Sequence, residues 1–279
     1  MRFGIFFLAI FISTASLALA GDDTNTVALS ATPAAVQKAI NARIGAGKLE
    51  SIAKSFEGGE ITFDVDWTDK NEKECGFTLA EDGTLLNVEV ELTETSPAVQ
   101  KTIQLQASGS VLESLEKVVE DPNNISYDVQ VAKNGRARGF TVDEDGTLLS
   151  KEVALTETPE QVQKAVQKKA AGGQIKSIEE VFDDEITYDV TITSGGGEKS
   201  FTVATNGVLL REQVALEETP LAARKTIRQK IGNGTILGID KSLVEKKMGV
   251  LPYEVQGRKE GKPFDFSVGP KGRFLGMDE

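Results

Sequence analysis

The stretch FTVDEDGTLL, residues 140–149, decides the fold of this chain. It alternates apolar and polar residues, turns at Asp145-Gly146 and continues into an aliphatic pair. This is the pattern of a β-hairpin, because glycine accepts the positive φ that a tight turn needs. The pattern recurs around Gly83, Gly207 and Gly272, so that successive turn glycines lie 63, 61 and 65 residues apart. A period this regular predicts tandem structural units.

Each hairpin is preceded by the pattern of an amphipathic helix and of further strands. In the first unit, Val36, Ile40 and Ile44 are spaced as one apolar helical stripe. Residues 63–67 alternate, which is typical of an antiparallel strand with one buried face. Residues 49–56 and their equivalents carry apolar residues three apart in a short segment after glycine. Their period leaves helix and strand open, and we favour a strand.

These patterns predict an α+β protein of tandem repeats, each with one helix packed on a three- or four-stranded antiparallel sheet. Residues 1–20 are predicted to be a signal peptide. Four repeats are predicted over residues 21–92, 93–155, 156–216 and 217–279, the last being a divergent, basic terminal cap. The pattern leaves open whether the repeats share one continuous sheet or form two lobes, and whether the chain oligomerises.

The first 20 residues are typical of a secretory signal. Arg2 is followed by a mostly apolar run over residues 3–12, and small residues precede the expected cleavage before Gly21. That run is short for a membrane span, and no later stretch is apolar enough for one. We therefore expect a secreted or periplasmic protein without a membrane span after cleavage. An uncleaved anchor is the less favoured alternative.

Composition argues against several functional classes. The chain has no histidine, which removes the commonest general base and metal ligand, and its single Cys75 cannot form an internal disulfide. The net charge is −12, divided into −16 over residues 21–216 and +3 over residues 217–279. An acidic body repels phosphates, so a nucleic-acid partner is not expected. No unit carries a catalytic cluster, and we expect neither catalysis, nor a cofactor, nor a metal.

One set of carboxylates recurs on the strand face opposite the apolar one. Asp64, Asp128 and Asp189 occupy the same position in three units, and Glu89 and Glu152 hold a matching place on the return strand. If the sheets join edge to edge, these residues form an acidic surface that can attract a basic protein, a peptide or a cation. The alternative is an ordinary solvated face without a partner, which exposed sheet surfaces commonly present.

The order of these elements resembles PepSY-like repeats, secreted bacterial domains of the β-lactamase-inhibitor-like fold. The resemblance rests on a Thr-Pro helix start, a Gly-x-Ile/Leu-x-x-Ile/Leu step, a Tyr/Phe-x-Val strand and the glycine hairpin, and it runs from about Leu29 to Leu275. It implies helices on one side of antiparallel sheets, a free opposite side, an envelope or extracellular role and, in some members, peptidase inhibition.

The chain departs from a tight inhibitor in one respect. Phe63, Tyr127 and Tyr188 fall on the apolar parity of their strands, whereas tight interfaces rely on exposed aromatic anchors. We therefore expect a non-catalytic protein that uses exposed sheet faces to bind a protein or peptide, with peptidase-inhibitor-like binding as one form of this. The alternative is a structural or spacer protein of the cell envelope.

Overall fold

The structure is a computed structural model that describes residues 25–57, 60–121, 123–170, 172–195, 197–244, 250–259 and 262–278. The predicted signal peptide lies outside the described residues. Within them, the chain passes four times from a helix into four strands. The helices are α1 (Ala34–Ile44), α2 (Pro97–Gln106), α3 (Glu160–Lys169) and α4 (Leu221–Ile231). Short 3-10 turns precede them at Leu29–Ala31, Leu92–Glu94, Leu155–Glu157 and Leu216–Glu218.

The strands follow the helices in four groups. The first two groups are β1 (Lys48–Glu57), β2 (Glu60–Thr68), β3 (Glu74–Ala80), β4 (Leu85–Glu89), β5 (Val111–Asp121), β6 (Asn124–Lys133), β7 (Arg136–Asp143) and β8 (Leu148–Glu152). The last two are β9 (Gln174–Phe182), β10 (Ile186–Ser194), β11 (Gly197–Ala204), β12 (Leu209–Gln213), β13 (Thr235–Ser242), β14 (Tyr253–Lys259), β15 (Lys262–Val268) and β16 (Phe274–Asp278).

All sixteen strands belong to one antiparallel sheet, in chain order. The groups are joined where β4 pairs with β5, β8 with β9 and β12 with β13. We call these pairings the first, second and third junctions. Without this pairing, the last strand of a group (β4, β8 or β12) would have an edge of unpaired backbone N–H and C=O groups. At each junction the first strand of the next group forms hydrogen bonds with that edge.

The prediction of an α+β protein of tandem repeats, each with one helix packed on its own three- or four-stranded sheet, is therefore wrong. The described residues are mostly β, with 50% strand against 23% helix, and their strands form a single continuous sheet. The hairpin and helix patterns describe local structure only, and the pairing across the junctions is a contact between groups that no local pattern reports. The residue boundaries proposed for the four repeats stay a prediction.

A β-bulge explains the apolar spacing of three in residues 49–56 and their equivalents, which all lie in strands. The register shifts between Leu112 and Ser114 in β5, and β1, β9 and β13 shift at the corresponding place. A bulge adds one residue, so residues three apart face the same side. Leu112 and Leu115 accordingly lie opposite Val131 and Val129, which both belong to the apolar core.

The core consists of four apolar clusters, each between one helix and the strands that follow it. Under α2, the helix residues Val99 and Ile103 pack with Val129, Phe140 and Val142 of the sheet, and all five are buried. The apolar stripe of the helix thus covers one face of the strands, which is how an amphipathic helix is stabilised by packing.

The hairpin glycines pack against the first turn of the helices. Gly146 has a φ of 90°, and a Cβ on it would lie 2.7 Å from the carbonyl carbon of Ala98 in α2. Thr102 Oγ1 of the same helix donates to the Gly146 carbonyl at 2.6 Å. Only glycine permits both this backbone conformation and this approach.

The segment that precedes α1 pairs with the outer edge of β1. Val27 N–H donates to the Ile52 carbonyl at 2.9 Å, and Lys54 N–H donates to the Asn25 carbonyl at 2.9 Å. Val90 N–H makes the same bond to Leu115 at 3.0 Å at the first junction. Residues 25–27 therefore occupy on β1 the place that the end of β4 occupies on β5.

Candidate binding surface

The side chains of the strands point alternately to the two faces of the sheet. On β2, Phe63 and Val65 belong to the apolar cluster that includes Val36 of α1. Asp64, between them, lies on the opposite face, against which none of the described helices packs. We call this the helix-free face. Thr78 of β3 lies directly across from Asp64 and shares the face.

The three predicted aspartates hold equivalent places on the helix-free face, and each accepts a hydrogen bond from a threonine of the next strand. The Oγ1–Oδ1 distances are 2.8 Å from Thr78 to Asp64, 2.8 Å from Thr141 to Asp128 and 2.5 Å from Thr202 to Asp189. All three aspartates are half-buried rather than exposed. The threonines beside them are buried, so this strip of the face is enclosed by neighbouring side chains.

The predicted glutamates lie at the junctions, each directly opposite a second glutamate. Glu89 pairs with Glu116 across the first junction, and Glu152 pairs with Glu179 across the second. Each second glutamate is in turn opposite one of the predicted aspartates. We call Glu89, Glu116 and Asp128 the first carboxylate triad, and Glu152, Glu179 and Asp189 the second carboxylate triad.

The structure thus places four of the five predicted residues in the triads and leaves Asp64 apart. Asp64 accepts hydrogen bonds from Ser55, at 3.1 Å, and from Thr78. Sequence reasoning missed Glu116 and Glu179, because it left the period of their strands open. A β-bulge three residues before each of them sets their parity, and its trace in the sequence is the apolar spacing of three from Leu112 to Leu115 and from Ile175 to Ile178.

Repulsion and burial both act on the first carboxylate triad. Burial, then the charges of Asp128, Glu89 and Asp64, raise the pKa of Glu116 to about 7. Burial also raises the pKa of Asp128. It raises the pKa of Glu89 as well, although the hydrogen bond that Gly76 N–H donates to Glu89 lowers that pKa in part. Among the described residues, no lysine or arginine forms an ion pair with a member of this triad.

The second carboxylate triad is partly compensated. Burial raises the pKa of Glu179, and the hydrogen bond that Ser150 donates to it lowers that pKa again in part. The Arg211 guanidinium lies 3.5 Å from the Asp189 carboxylate. Gly139 N–H donates to the Glu152 carboxylate at 3.4 Å. The negative charge at the second junction therefore meets one cation and several donors.

The third junction differs from the other two. Gln213 lies opposite Asp240, so the glutamate pair is not repeated there. On the helix-covered side of the same junction, Glu212 accepts from Lys169 at 2.5 Å and from Lys241 at 3.1 Å. These two cations lower the pKa of Glu212. The acidic character of the helix-free face is therefore strongest at the first junction.

The described residues contain neither a cluster of metal ligands nor a helix able to span a membrane. Within the described part of the chain, no group of three or more His, Cys, Asp or Glu side chains is arranged to hold a metal ion. Likewise, none of the described helices is both long and apolar enough to cross a membrane. What the two triads offer is a negative, partly desolvated surface, which attracts positive groups.

Comparisons with known proteins give similarity only at the level of structure. No family model matches the chain, and no curated protein matches it. It is similar to a protein described as periplasmic from Bacteroides eggerthii, with 16% identity, a TM-score of 0.34, and coverage of 43% of this chain and 88% of the other. It is also similar to a BLIP-like protein from Bacteroides fragilis, with 16% identity, a TM-score of 0.33, and coverage of 43% of this chain and 85% of the other. A third similar structure is a DUF2874 family protein from Bacteroides uniformis, with 13% identity, a TM-score of 0.32, and coverage of 42% of this chain and 88% of the other.

Proposed function

We propose that this chain is a non-catalytic binding protein of the periplasm or the secreted space, and that its helix-free face binds a basic segment of a protein or peptide. The observation that supports this most directly is the first carboxylate triad. Three carboxylates lie side by side there on the adjacent strands β4, β5 and β6. Burial raises the pKa of each of them, and none of them forms an ion pair within the described residues. A bound ammonium or guanidinium group relieves both penalties.

The spacing of the triads specifies the partner further. Adjacent strands lie about 4.8 Å apart, so Glu116 on β5 and Glu179 on β9 are separated by roughly 20 Å. An extended peptide advances about 3.3 Å per residue. Two basic clusters roughly six residues apart therefore reach both triads. A partner with a single basic residue engages one triad only.

Other occupants fit this face less well. A nucleic acid would bring phosphates to a carboxylate surface. A peptidase inhibitor of the usual kind would need exposed aromatic anchors. Phe63, Tyr127 and Tyr188 are instead buried under the helices.

The test is calorimetric titration with a synthetic peptide of about ten residues that carries two Lys-Lys pairs separated by four Gly or Ser residues. The test variant replaces four glutamates of the triads: Glu89→Gln, Glu116→Gln, Glu152→Gln and Glu179→Gln. The control variant removes the same charge from exposed positions: Glu81→Gln, Glu144→Gln, Glu160→Gln and Glu185→Gln.

We expect the wild type and the control to bind alike, and the triad variant to bind at least tenfold more weakly, which is about 1.4 kcal/mol. Binding should strengthen from about pH 6 to pH 8, with proton release, because a cation favours the ionised form of Glu116. It should weaken with salt. Equal loss in both variants would mean that only net charge matters. Equally weak binding by all three proteins would favour the structural or spacer role.

A further inference from the structure

A cleft of about 380 Å³ lies between the C-terminal end of α2 and strands β6 to β8. Ligand sites in proteins begin at roughly 300 Å³, so this volume suits a ligand of about one ring. Its apolar floor is formed by Val131 and Phe140, which belong to the core under α2. Its polar wall includes Gln106, Ser108 and Ser110.

The cleft is basic, although the chain as a whole is acidic. Lys133, Arg136, Arg138 and Lys151 all line it. Two of these cations are engaged: Arg138 lies 2.9 Å from the Glu157 carboxylate, and Lys151 lies 2.9 Å from that of Glu180. Lys133 and Arg136, which flank the β6–β7 turn, form no ion pair among the described residues. Neither cation is held by an ion pair, although the positive charge of Arg136 contributes to lowering the pKa of Glu157.

The equivalent position in the first group of strands, Lys73, has an ion pair that Arg136 lacks among the described residues. Lys73 lies four residues before Phe77, as Arg136 does before Phe140, and it forms an ion pair with Glu91. Glu91 directly follows Val90, which donates to β5. Ala154 directly follows Val153, which donates to β9 in the same way. Ala154 thus holds the position of Glu91, and Arg136 lacks the ion pair that Lys73 forms.

We propose that this cleft binds a sugar acid, that is, a hydroxylated ring that carries one carboxylate. The fork of Arg136 matches a carboxylate bidentately, and Lys133 adds a second positive charge. The side chains of Gln106, Ser108, Ser110 and Asn134 supply donors and acceptors for ring hydroxyls. Of the lining carboxylates, Glu157 pairs with Arg138, and Glu152, a member of the second carboxylate triad, accepts from Gly139 N–H. None of the lining residues belongs to the first carboxylate triad, on which the proposed binding of a basic partner mainly rests.

The test is an NMR titration of the ¹⁵N-labelled full chain with galacturonate, with galactose and acetate as comparison ligands. One variant removes the two unpaired cations, Lys133→Gln with Arg136→Gln. A second, Ala154→Glu, introduces a carboxylate at the position equivalent to Glu91, which pairs with Lys73. The control removes two exposed lysines elsewhere, Lys70→Gln with Lys168→Gln.

We expect galacturonate to shift the amide resonances of Ser108, Ser110 and Gly139 in the wild type and the control. We expect at least tenfold weaker binding in both cleft variants, including Ala154→Glu, which removes no cation. Galactose that binds as tightly would overturn the proposal, because the carboxylate would then not be recognised. Acetate that binds as tightly would also overturn it, because the cleft would then hold any small anion. Unchanged binding in both cleft variants would place the ligand elsewhere.

Discussion

Glu89 and Glu116 lie directly opposite each other across the first junction of the sheet. Like charges in this arrangement destabilise a strand pair. The same arrangement recurs with Glu152 and Glu179 at the second junction. The sheet is therefore weakened by electrostatics at its first and second junctions, and the helix-free face is left with negative charge that a partner can neutralise.

Replacement of Glu116 by Gln should stabilise the protein at alkaline pH. The pKa of Glu116 is raised from 4.5 to about 7 in the folded state. The folded state thus binds more protons than the unfolded state between these values, and stability falls as pH rises through this window. Above it, we expect Glu116→Gln to add roughly 1–2 kcal/mol, after allowance for solvent screening.

The measurement is urea unfolding followed by circular dichroism at about pH 4 and pH 8. At about pH 4 the wild-type side chain is largely neutral in both states, so the variant should match the wild type. Glu113→Gln, on an exposed glutamate of the same strand, is the control and should change little at either pH. A gain of equal size at both pH values would count against repulsion as the cause.

Replacement of Gly146 by Ala should be markedly more destabilising than replacement of Gly135 by Ala. Both glycines have positive φ, 90° and 75°, so both substitutions carry backbone strain. A Cβ at Gly146 would also lie 2.7 Å from the Ala98 carbonyl carbon, whereas nothing lies within 4 Å of one at Gly135. We expect about 1 kcal/mol for Gly135→Ala and roughly 2–4 kcal/mol for Gly146→Ala.

Thermal unfolding of the two glycine variants measures this difference. Because the strain is common to both, the excess loss in Gly146→Ala reports the contact between the hairpin and α2. Equal losses would mean that α2 moves aside freely and that this contact does not hold the helix in place.

Replacement of Glu212 by Gln should weaken the third junction. Glu212 is a half-buried carboxylate between Lys169 and Lys241, which lower its pKa. Its contribution is present above the ordinary pKa of 4.5 and is lost as pH falls through the lower, folded-state pKa. We expect Glu212→Gln to cost about 1 kcal/mol near neutral pH, and less in high salt.

Glu198→Gln provides a matched control for this substitution. Glu198 pairs with Lys176 at 2.5 Å, the distance between Lys169 and Glu212, but both partners are largely exposed. Urea unfolding should therefore show a change of under about 0.5 kcal/mol for Glu198→Gln. If both substitutions lower the free energy of unfolding by the same amount, burial adds nothing to the stability of the Glu212 ion pairs at the third junction.

Local patterns predicted the local structure of this chain well. The Asp145-Gly146 turn is a hairpin, and the stripe of Val36 and Ile40 packs on the sheet. The pairing of β4 with β5 could not be predicted from local patterns, because it depends on which strand of the next group packs against the free edge of β4. The triads were predicted only in part: Glu89 and Asp128 were identified, whereas Glu116 follows a bulge in a segment whose period was left open.

The contact of residues 25–27 with β1 has a practical consequence for handling the protein. Asn25 and Val27 form backbone hydrogen bonds on a strand edge that would otherwise offer free N–H and C=O groups to other chains. A recombinant chain that starts after Val27 would bare this edge. We expect such a chain to aggregate more readily on storage than one that starts at Gly21, and light scattering over days would reveal the difference.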